Sequence, residues 1–502
     1  MKDKILFWID AELFHFGIAK HLQDNYDCDL FGIINLSFGK EFFQKQQNVK
    51  FQKIWHYRDN IVIKNKPNLE YLSSFEKKYS INLWRIIYSD ILFNHYNEYY
   101  KFKFDEILSI MEQNCRFFER ILDEIDPNFL VIKMTDFSQN QLLSQICKKR
   151  GIKVLMLGPT RFGYRSMITE EVDILDKIQN TEGKSKFNDR TKEELIEVIN
   201  QYAIQQKQHK NKFKAGKLLQ LKATLQFLKN SNNSQYKKYY GNFGKTPFLV
   251  IKNQIKKLYK KWKRNNFINK NFLQEIEKDI TFVYFPLHYD PERTFLIPAP
   301  YYGNQVETII KISKSLPINY KLLVKEHPMQ IFYAWREISQ YKKIMDLPNV
   351  ELVHPNVSNE KMLKNCSLVI TIAGTSGLEA AFFNKPSIVL SDVIYSNLQS
   401  TYKIKNIEEL PHVIKFALKQ NIETTLDLNK FVNKIENNSF SFDEVELNRQ
   451  VQDIFYYNGY LFETQISQVQ INKFLEDNEK VLKHLALEHI KKIQQYKKND
   501  NI

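Results

Sequence analysis

Leu323-Val-Lys-Glu-His-Pro328 and, further along, Thr371-Ile-Ala-Gly-Thr-Ser-Gly-Leu-Glu-Ala380 decide how this chain is read. Each is an apolar strand that runs into a polar turn. The first turn offers Lys325 and His327, both able to donate hydrogen bonds to a phosphate. The second offers Gly374, Thr375, Ser376 and Gly377, small residues that open a helix carrying Glu379. In an open α/β sheet, ligands sit beyond the carboxyl ends of parallel strands. Free N–H groups at a helix start attract anions. Two such turns in one half of the chain predict a site for a nucleotide mono- or diphosphate sugar.

Outward from these turns, strands and helices alternate. Thr281–Leu287 reads as a strand, Asn304–Ser315 as a helix and Tyr320–Lys325 as a strand. A helix around Tyr333–Met345, strand Val350–Val353, helix Asn359–Asn365 and strand Leu368–Ile372 follow. Helix Ser376–Phe383 then leads to strand Ser387–Leu390. This order implies a doubly wound parallel sheet. Nearer the start, Ile5–Ile9 and Asp29–Leu36 read as strands, with an amphipathic segment from Glu12 to Gln23 between them. Glu41 to Tyr100 is polar and aromatic and resists assignment. A helix from Phe104 to Ile125, closed by Asp126-Pro127-Asn128, precedes strand Phe129–Lys133, helix Ser138–Arg150 and strand Lys153–Leu157, a βαβ unit. The pattern divides the chain into an N-terminal Rossmann-like domain at 1–170 and a Lys-rich helical insert at 171–275. A C-terminal Rossmann-like domain at 276–420 and a helical tail at 421–502 complete it.

Composition bounds the possibilities. A chain of 502 residues with 43% hydrophobic content has room for roughly three units with sizeable cores. No window approaches the roughly 18 to 20 apolar residues of a membrane span. The start of the chain meets Asp10 and Glu12 too early for a signal peptide. Cys28, Cys115, Cys147 and Cys366 have neither metal spacing nor a disulfide pattern. A cytoplasmic protein is expected.

The net charge of +16 is concentrated. Between Gln201 and Lys270 there are 18 Lys and Arg residues and no Asp or Glu, so the rest of the chain is close to neutral. Within this stretch Ile251, Ile255, Leu258, Tyr259 and Trp262 recur at helical spacing. Among them are Lys252, Lys256, Lys257, Lys260, Lys261, Lys263 and Arg264. A helix with one basic and one aromatic-aliphatic face suits the surface of an anionic membrane. The alternative is a solvated basic linker whose apolar stripe packs on the protein. Nucleic-acid binding is disfavoured, because no recognition motif accompanies the charge.

Several motifs together carry a resemblance. Tyr284-Phe-Pro-Leu-His-Tyr-Asp-Pro-Glu-Arg-Thr294, Gln305, Val324-Lys-Glu-His-Pro328, Gly374-Thr-Ser-Gly-Leu-Glu-Ala380 and Lys385-Pro386 resemble the bacterial capsule polysaccharide biosynthesis family, which includes the Kdo transferases of capsule assembly. The likeness is close from Thr281 to Ser396, and in the first half it extends only to the strand–helix pattern. It implies an α/β protein of the GT-B fold, two Rossmann-like domains facing a cleft, here with a basic helical insert and a helical C-terminal tail. It also implies a metal-independent glycosyltransferase that needs no cofactor and takes a nucleotide-sugar donor. The sugar would pass to a glycan or lipid-linked acceptor at the inner face of the cell membrane. A CMP-activated Kdo- or nonulosonate-type sugar is the first expectation for the donor. A UDP-sugar transferase or 2-epimerase, a CDP-glycerol-type glycerophosphotransferase, and an inactive scaffold are the alternatives.

The resemblance assigns roles residue by residue. His327 belongs to the family's His-Pro pair and is expected to bond the donor phosphate, with Pro328 fixing the turn; a structural His is the alternative. Lys325 adds charge there or faces outward. Gly374, Thr375 and Ser376 would bind phosphate or simply cap the helix. Glu379 would hold ribose hydroxyls or complement the helix dipole. His288, Asp290 and Gln305 form a donor-site loop. In that loop Glu292 is the preferred catalytic carboxylate, against a salt bridge with Arg293. Asp290 stands where much of the family has Gln. Asp136, beyond strand Phe129–Lys133, is a candidate acceptor base or a helix cap, and Asp10 and Glu12 are weaker candidates of the same type.

Overall fold

The computed structural model describes residues 2–36, 39–63, 66–94, 98–134, 137–171, 187–198, 217–231, 233, 237–277, 279–289, 296–328, 330 and 336–500. They form two compact units. Unit 1 comprises the described parts of Met1–Lys177, Tyr202–Val250 and Asn438–Ile502, and unit 2 those of Ile178–Gln201 and Ile251–Asn437.

Unit 1 is built on β1 (Asp3–Ile9), β2 (Cys28–Ile34), β3 (Phe51–His56), β4 (Phe129–Lys133), β5 (Lys153–Pro159) and β6 (Arg165–Thr169). A short strand, Phe440–Ser441, pairs with β6 at the edge, and the order onward is β6, β5, β4, β1, β2, β3. The first five strands are parallel; β6 and the edge strand each pair antiparallel with their neighbours. Every residue from Ile5 to Ile9 is 0% exposed. A strand covered on both faces reads as a continuous apolar run. Its alternate side chains enter two cores. Phe7 and Ile9 join Phe14, Ile18, Leu482 and Ile493, whereas Leu6 and Trp8 join Phe118, Ile121 and Leu143.

The first of those cores explains the fate of the C-terminal segment. Leu482, Leu485, Ala486 and Ile493 form the buried stripe of helix Glu479–Asp500, which lies against helix Phe14–Asn25. At Gly17 an added Cβ would sit 2.6 Å from Leu482 Cδ1, so the missing side chain lets the two helices approach closely. Residues 421–502, expected as one tail, therefore divide. Helix Thr425–Asn437 belongs to unit 2, and the chain from Asn438 covers the sheet of unit 1. The segment Glu41–Tyr100 supplies β3 and helices Leu69–Tyr79 and Leu83–Ser89.

Of the predicted basic insert, helices Lys217–Asn230 and Pro247–Asn271 are described, while 172–186 and 199–216 lie outside the described residues. On the longer helix Phe248, Ile251, Ile255, Leu258, Tyr259 and Trp262 are between 50% and 72% exposed. Among the described residues, no helix is long and apolar enough to cross a membrane.

Unit 2 contains β7 (Phe282–Pro286), β8 (Lys321–Lys325), β9 (Val350–Val353), β10 (Leu368–Thr371), β11 (Ser387–Val389) and β12 (Thr401–Lys403). They are parallel throughout and ordered β12, β11, β10, β7, β8, β9. The chain builds outward from β7 in one direction, then returns to its other side at β10. The switch point lies between those two strands, where open α/β sheets receive ligands. Both units are thus Rossmann-like α/β layers.

Candidate functional site

Three polar turns of unit 2 meet at this switch point. His288, just beyond β7, is 6% exposed. Its Nε2 accepts the Ala373 N–H at 3.3 Å and lies 3.4 Å from Thr371 Oγ1, so the turns after β7 and β10 are in direct contact. Gln305, at the start of helix Gln305–Ser315, holds the His288 backbone from both ends. Its Oε1 accepts the His288 N–H at 2.8 Å, and its Nε2 donates to the His288 carbonyl at 3.3 Å. Gly374 is required here. A Cβ on it would lie 2.7 Å from Thr371 Oγ1 and 3.3 Å from His288 Cε1.

The turn after β8 is fixed from below. Lys325, which ends β8, is 5% exposed, so it is not an outward-facing strand lysine. Glu326 is fully buried. Its Oε1 accepts the His327 N–H at 2.7 Å, and its Oε2 accepts Arg336 Nε at 3.0 Å and the Tyr341 hydroxyl. Arg336 Nη2 donates in turn to the His288 carbonyl at 3.0 Å. The buried Glu326–Arg336 pair therefore joins the His327 turn to the His288 loop. His327 itself is half-buried, its ring centre 6.1 Å from that of Tyr289.

In the turn after β10, Thr375 precedes the short helix Ser376–Ala381. Its hydroxyl does not cap the helix but donates to Glu379 Oε1 at 2.9 Å. Glu379 Oε2 accepts Asn359 Nδ2, whose own Oδ1 accepts the Tyr284 hydroxyl at 2.8 Å. Burial pushes the Glu379 carboxyl above its usual range, opposed by the bonds from Thr375 and Asn359 and by the Lys325 charge. A ribose contact at Glu379 would compete with these internal partners. Gly377 admits Tyr395. A Cβ there would sit 2.5 Å from the Tyr395 hydroxyl, which donates to the Gly374 carbonyl.

The structure thus brings together His288, Gln305, Lys325, His327, Gly374, Thr375, Ser376 and Glu379 on the turns and first helical residues of one sheet edge. Asp290, Glu292 and Asp136 lie outside the described residues. Among the described residues, no group of three or more His, Cys, Asp or Glu side chains is placed to hold a metal ion. Sequence reasoning passed over Glu326, Arg336, Tyr341, Asn359, Thr371 and Tyr395. Glu326 was visible between Lys325 and His327, but nothing in the sequence marks Arg336 or Tyr341 as its partners.

Two Rossmann-like units, the second with polar turns gathered at its switch point, are the elements from which a GT-B fold is built. Residues 183–409 match the family described as "Capsule polysaccharide biosynthesis protein", and that segment includes the switch-point turns of unit 2. No curated protein matches the chain. Many solved structures show low-scoring similarity, and these three are among them. The UDP-GlcNAc 2-epimerase from Methanocaldococcus jannaschii is 15% identical, covering 87% of this chain and 100% of its own, with a TM-score of 0.26. The KpsC β-Kdo 2,4 transferase from Thermosulfurimonas dismutans is 11% identical, covering 61% and 79%, with a TM-score of 0.31. The KpsC β-Kdo 2,7 transferase from the same organism is 12% identical, covering 71% and 97%, with a TM-score of 0.28.

Proposed function

We propose that this protein is a glycosyltransferase of capsule polysaccharide synthesis that uses a nucleotide sugar, with a CMP-activated Kdo- or nonulosonate-type sugar as the leading donor. The observation that carries this reading is the junction at the unit 2 switch point. His288 is bonded to the turn after β10 and, through Arg336 and Glu326, to the His327 turn. Such an edge, inside the segment that matches the capsule family, is suited to the phosphate of a donor.

In the proposed reaction the acceptor oxygen bonds to the anomeric carbon as the bond from that carbon to the phosphate oxygen breaks. The electron pair leaves on the phosphate. His327, Lys325 and the donors of the Gly374–Ser376 turn steady the charge that develops there. The acceptor proton passes to a carboxylate, for which Glu292 and Asp136 are the candidates. Protein groups supply all of these roles, and the reaction as drawn requires no metal.

The acceptor is a glycan or lipid-linked glycan presented by unit 1. The enzyme works at an anionic membrane surface, to which helix Pro247–Asn271 offers exposed apolar side chains among lysines.

Thermal stabilisation by CMP, CDP, UDP, UMP and GDP, with and without magnesium, tests the donor. A nucleotide at about 100 times its dissociation constant stabilises by about 2.7 kcal/mol. Selective, metal-independent stabilisation by CMP supports the reading. UDP would indicate a hexose transferase or epimerase, and CDP polyol phosphate transfer. No shift with any nucleotide would overturn the enzyme reading in favour of a scaffold.

A further inference from the structure

The carboxyl edge of the unit 1 sheet carries polar groups that donor binding leaves unused. β1 is the middle one of the five parallel strands, with β4 on one side and β2 on the other, so this sheet too has a switch point, between β1 and β4. There Lys133, the last residue of β4, pairs with Glu12, just beyond β1. Asp10 Oδ1 accepts the Glu12 N–H at 3.1 Å and shapes the turn. The Glu12 side chain is 23% exposed, but its Oε2 is enclosed and has no hydrogen-bond partner among the described residues. From beyond β3, Arg58 bonds Asn35 Oδ1 at 2.9 Å, and its guanidinium lies 4.3 Å from the Tyr239 ring centre.

A second observation comes from the far end of the chain. Tyr456 is 1% exposed, and its hydroxyl likewise has no partner among the described residues. Tyr456 packs in the core that holds Ile9 and Leu13, on either side of the Asp10–Glu12 turn, with Ala11 against it, and the charges of Asp10, Arg58, Glu463 and Glu12 bear on its hydroxyl. Burial raises the Glu12 carboxyl above the usual carboxylate range, with Lys133 opposing the shift and Asp10 and Glu444 adding to it. A buried polar atom left unbonded is costly. Among the described residues, one carboxylate oxygen and one phenol are both left so here, at the position where α/β sheets take ligands.

We propose that this edge of unit 1 is a saccharide-binding site, in which Glu12 Oε2 accepts a sugar hydroxyl and the Tyr456 hydroxyl bonds a sugar oxygen. Lys133 holds Glu12 in place. Arg58, over the Tyr239 ring, adds positive charge at this edge. The inference rests on the transferase reading, in which unit 1 presents the acceptor, and it names the residues that would hold that acceptor.

Saturation-transfer NMR on the full chain, with the methyl glycosides of Kdo, N-acetylneuraminic acid, N-acetylglucosamine and galactose as probes, tests it. At least one glycoside should bind, and its affinity should fall about tenfold or more in both Tyr456→Phe and Glu12→Gln. Because the Tyr456 hydroxyl has no hydrogen-bond partner among the described residues, Tyr456→Phe should keep or raise the melting temperature while losing the sugar, a combination that a structural role does not give. Binding of no glycoside, or equal binding by wild type and Tyr456→Phe, would overturn the proposal. The nucleotide panel reads the donor side separately. Glycoside binding lost in these variants, in a protein that no nucleotide stabilises, would support the saccharide site while removing the transferase reading.

Discussion

Arg336 and Glu326 form a buried ion pair, Nε to Oε2 at 3.0 Å, with side chains 1% and 0% exposed. Glu326 also holds the His327 amide and Arg336 the His288 carbonyl, so the pair fixes two turns of the candidate donor site at once. Two charges this deep are stable together because each satisfies the other and their remaining bonds are made to fixed groups. Removing one partner strands the other.

Arg336→Met should therefore destabilise unit 2 by about 3–5 kcal/mol, and Glu326→Gln/Arg336→Met should recover part of that loss. Urea denaturation across the double-mutant cycle measures both. Near-additive losses would show that the pair is not coupled.

His327→Ala leaves the backbone amide that Glu326 holds, and the His327 side chain is half-buried. Nucleotide-induced stabilisation should fall sharply while the stability of the apo protein changes by less than about 1 kcal/mol. Unchanged nucleotide binding would remove His327 from the phosphate site.

Gly377→Ala drives a methyl group into the Tyr395 hydroxyl. Overpacking of this kind costs about 1–3 kcal/mol. Tyr395→Phe removes the obstructing oxygen along with its bond to the Gly374 carbonyl. The double variant should be more stable than the sum of the single losses predicts, as read by thermal unfolding.

His15 and His489 are buried in unit 1, where His489 Nδ1 bonds the Leu485 carbonyl at 2.7 Å. Burial lowers both imidazoles, His489 to about 4. The folded state therefore binds fewer protons than the unfolded one below the ordinary histidine range. Stability is complete above about pH 6.5 and is lost as pH falls toward 4, by up to about 1.4 kcal/mol per pH unit for each histidine. Denaturation midpoints at pH 7 and pH 5 check this. His489→Phe should flatten the slope.

Replacing Lys256, Lys257, Lys260 and Lys261 by Glu should abolish co-sedimentation with anionic vesicles, because each lysine near such a surface contributes about 1 kcal/mol. Trp262→Ala should weaken it by a smaller step. Vesicle binding unchanged in the four-site variant would rule out helix Pro247–Asn271 as the contact.

The strand and helix pattern was legible in the sequence wherever local chemistry forces it. Phe104–Ile125 and Phe129–Lys133 fall where periodicity and the Asp126-Pro127 stop put them. The two polar turns followed apolar strands, and that juxtaposition alone placed His327 and Gly374–Ser376 at a sheet edge. The Glu41–Tyr100 segment was opaque because its β3 alternates weakly and its helices are short.

What the sequence determined by itself was thus the two-part α/β order, the concentration of basic charge and the residue types in the donor-side turns, all properties of neighbours along the chain. Tertiary structure alone decided that Arg336 would tie Glu326 to His288, that Asn359 would occupy Glu379, and that Leu482 would close on Gly17. Those contacts join residues far apart in sequence. Their strength comes from burial and fixed geometry, which an amphipathic pattern demands without naming the partner that provides it.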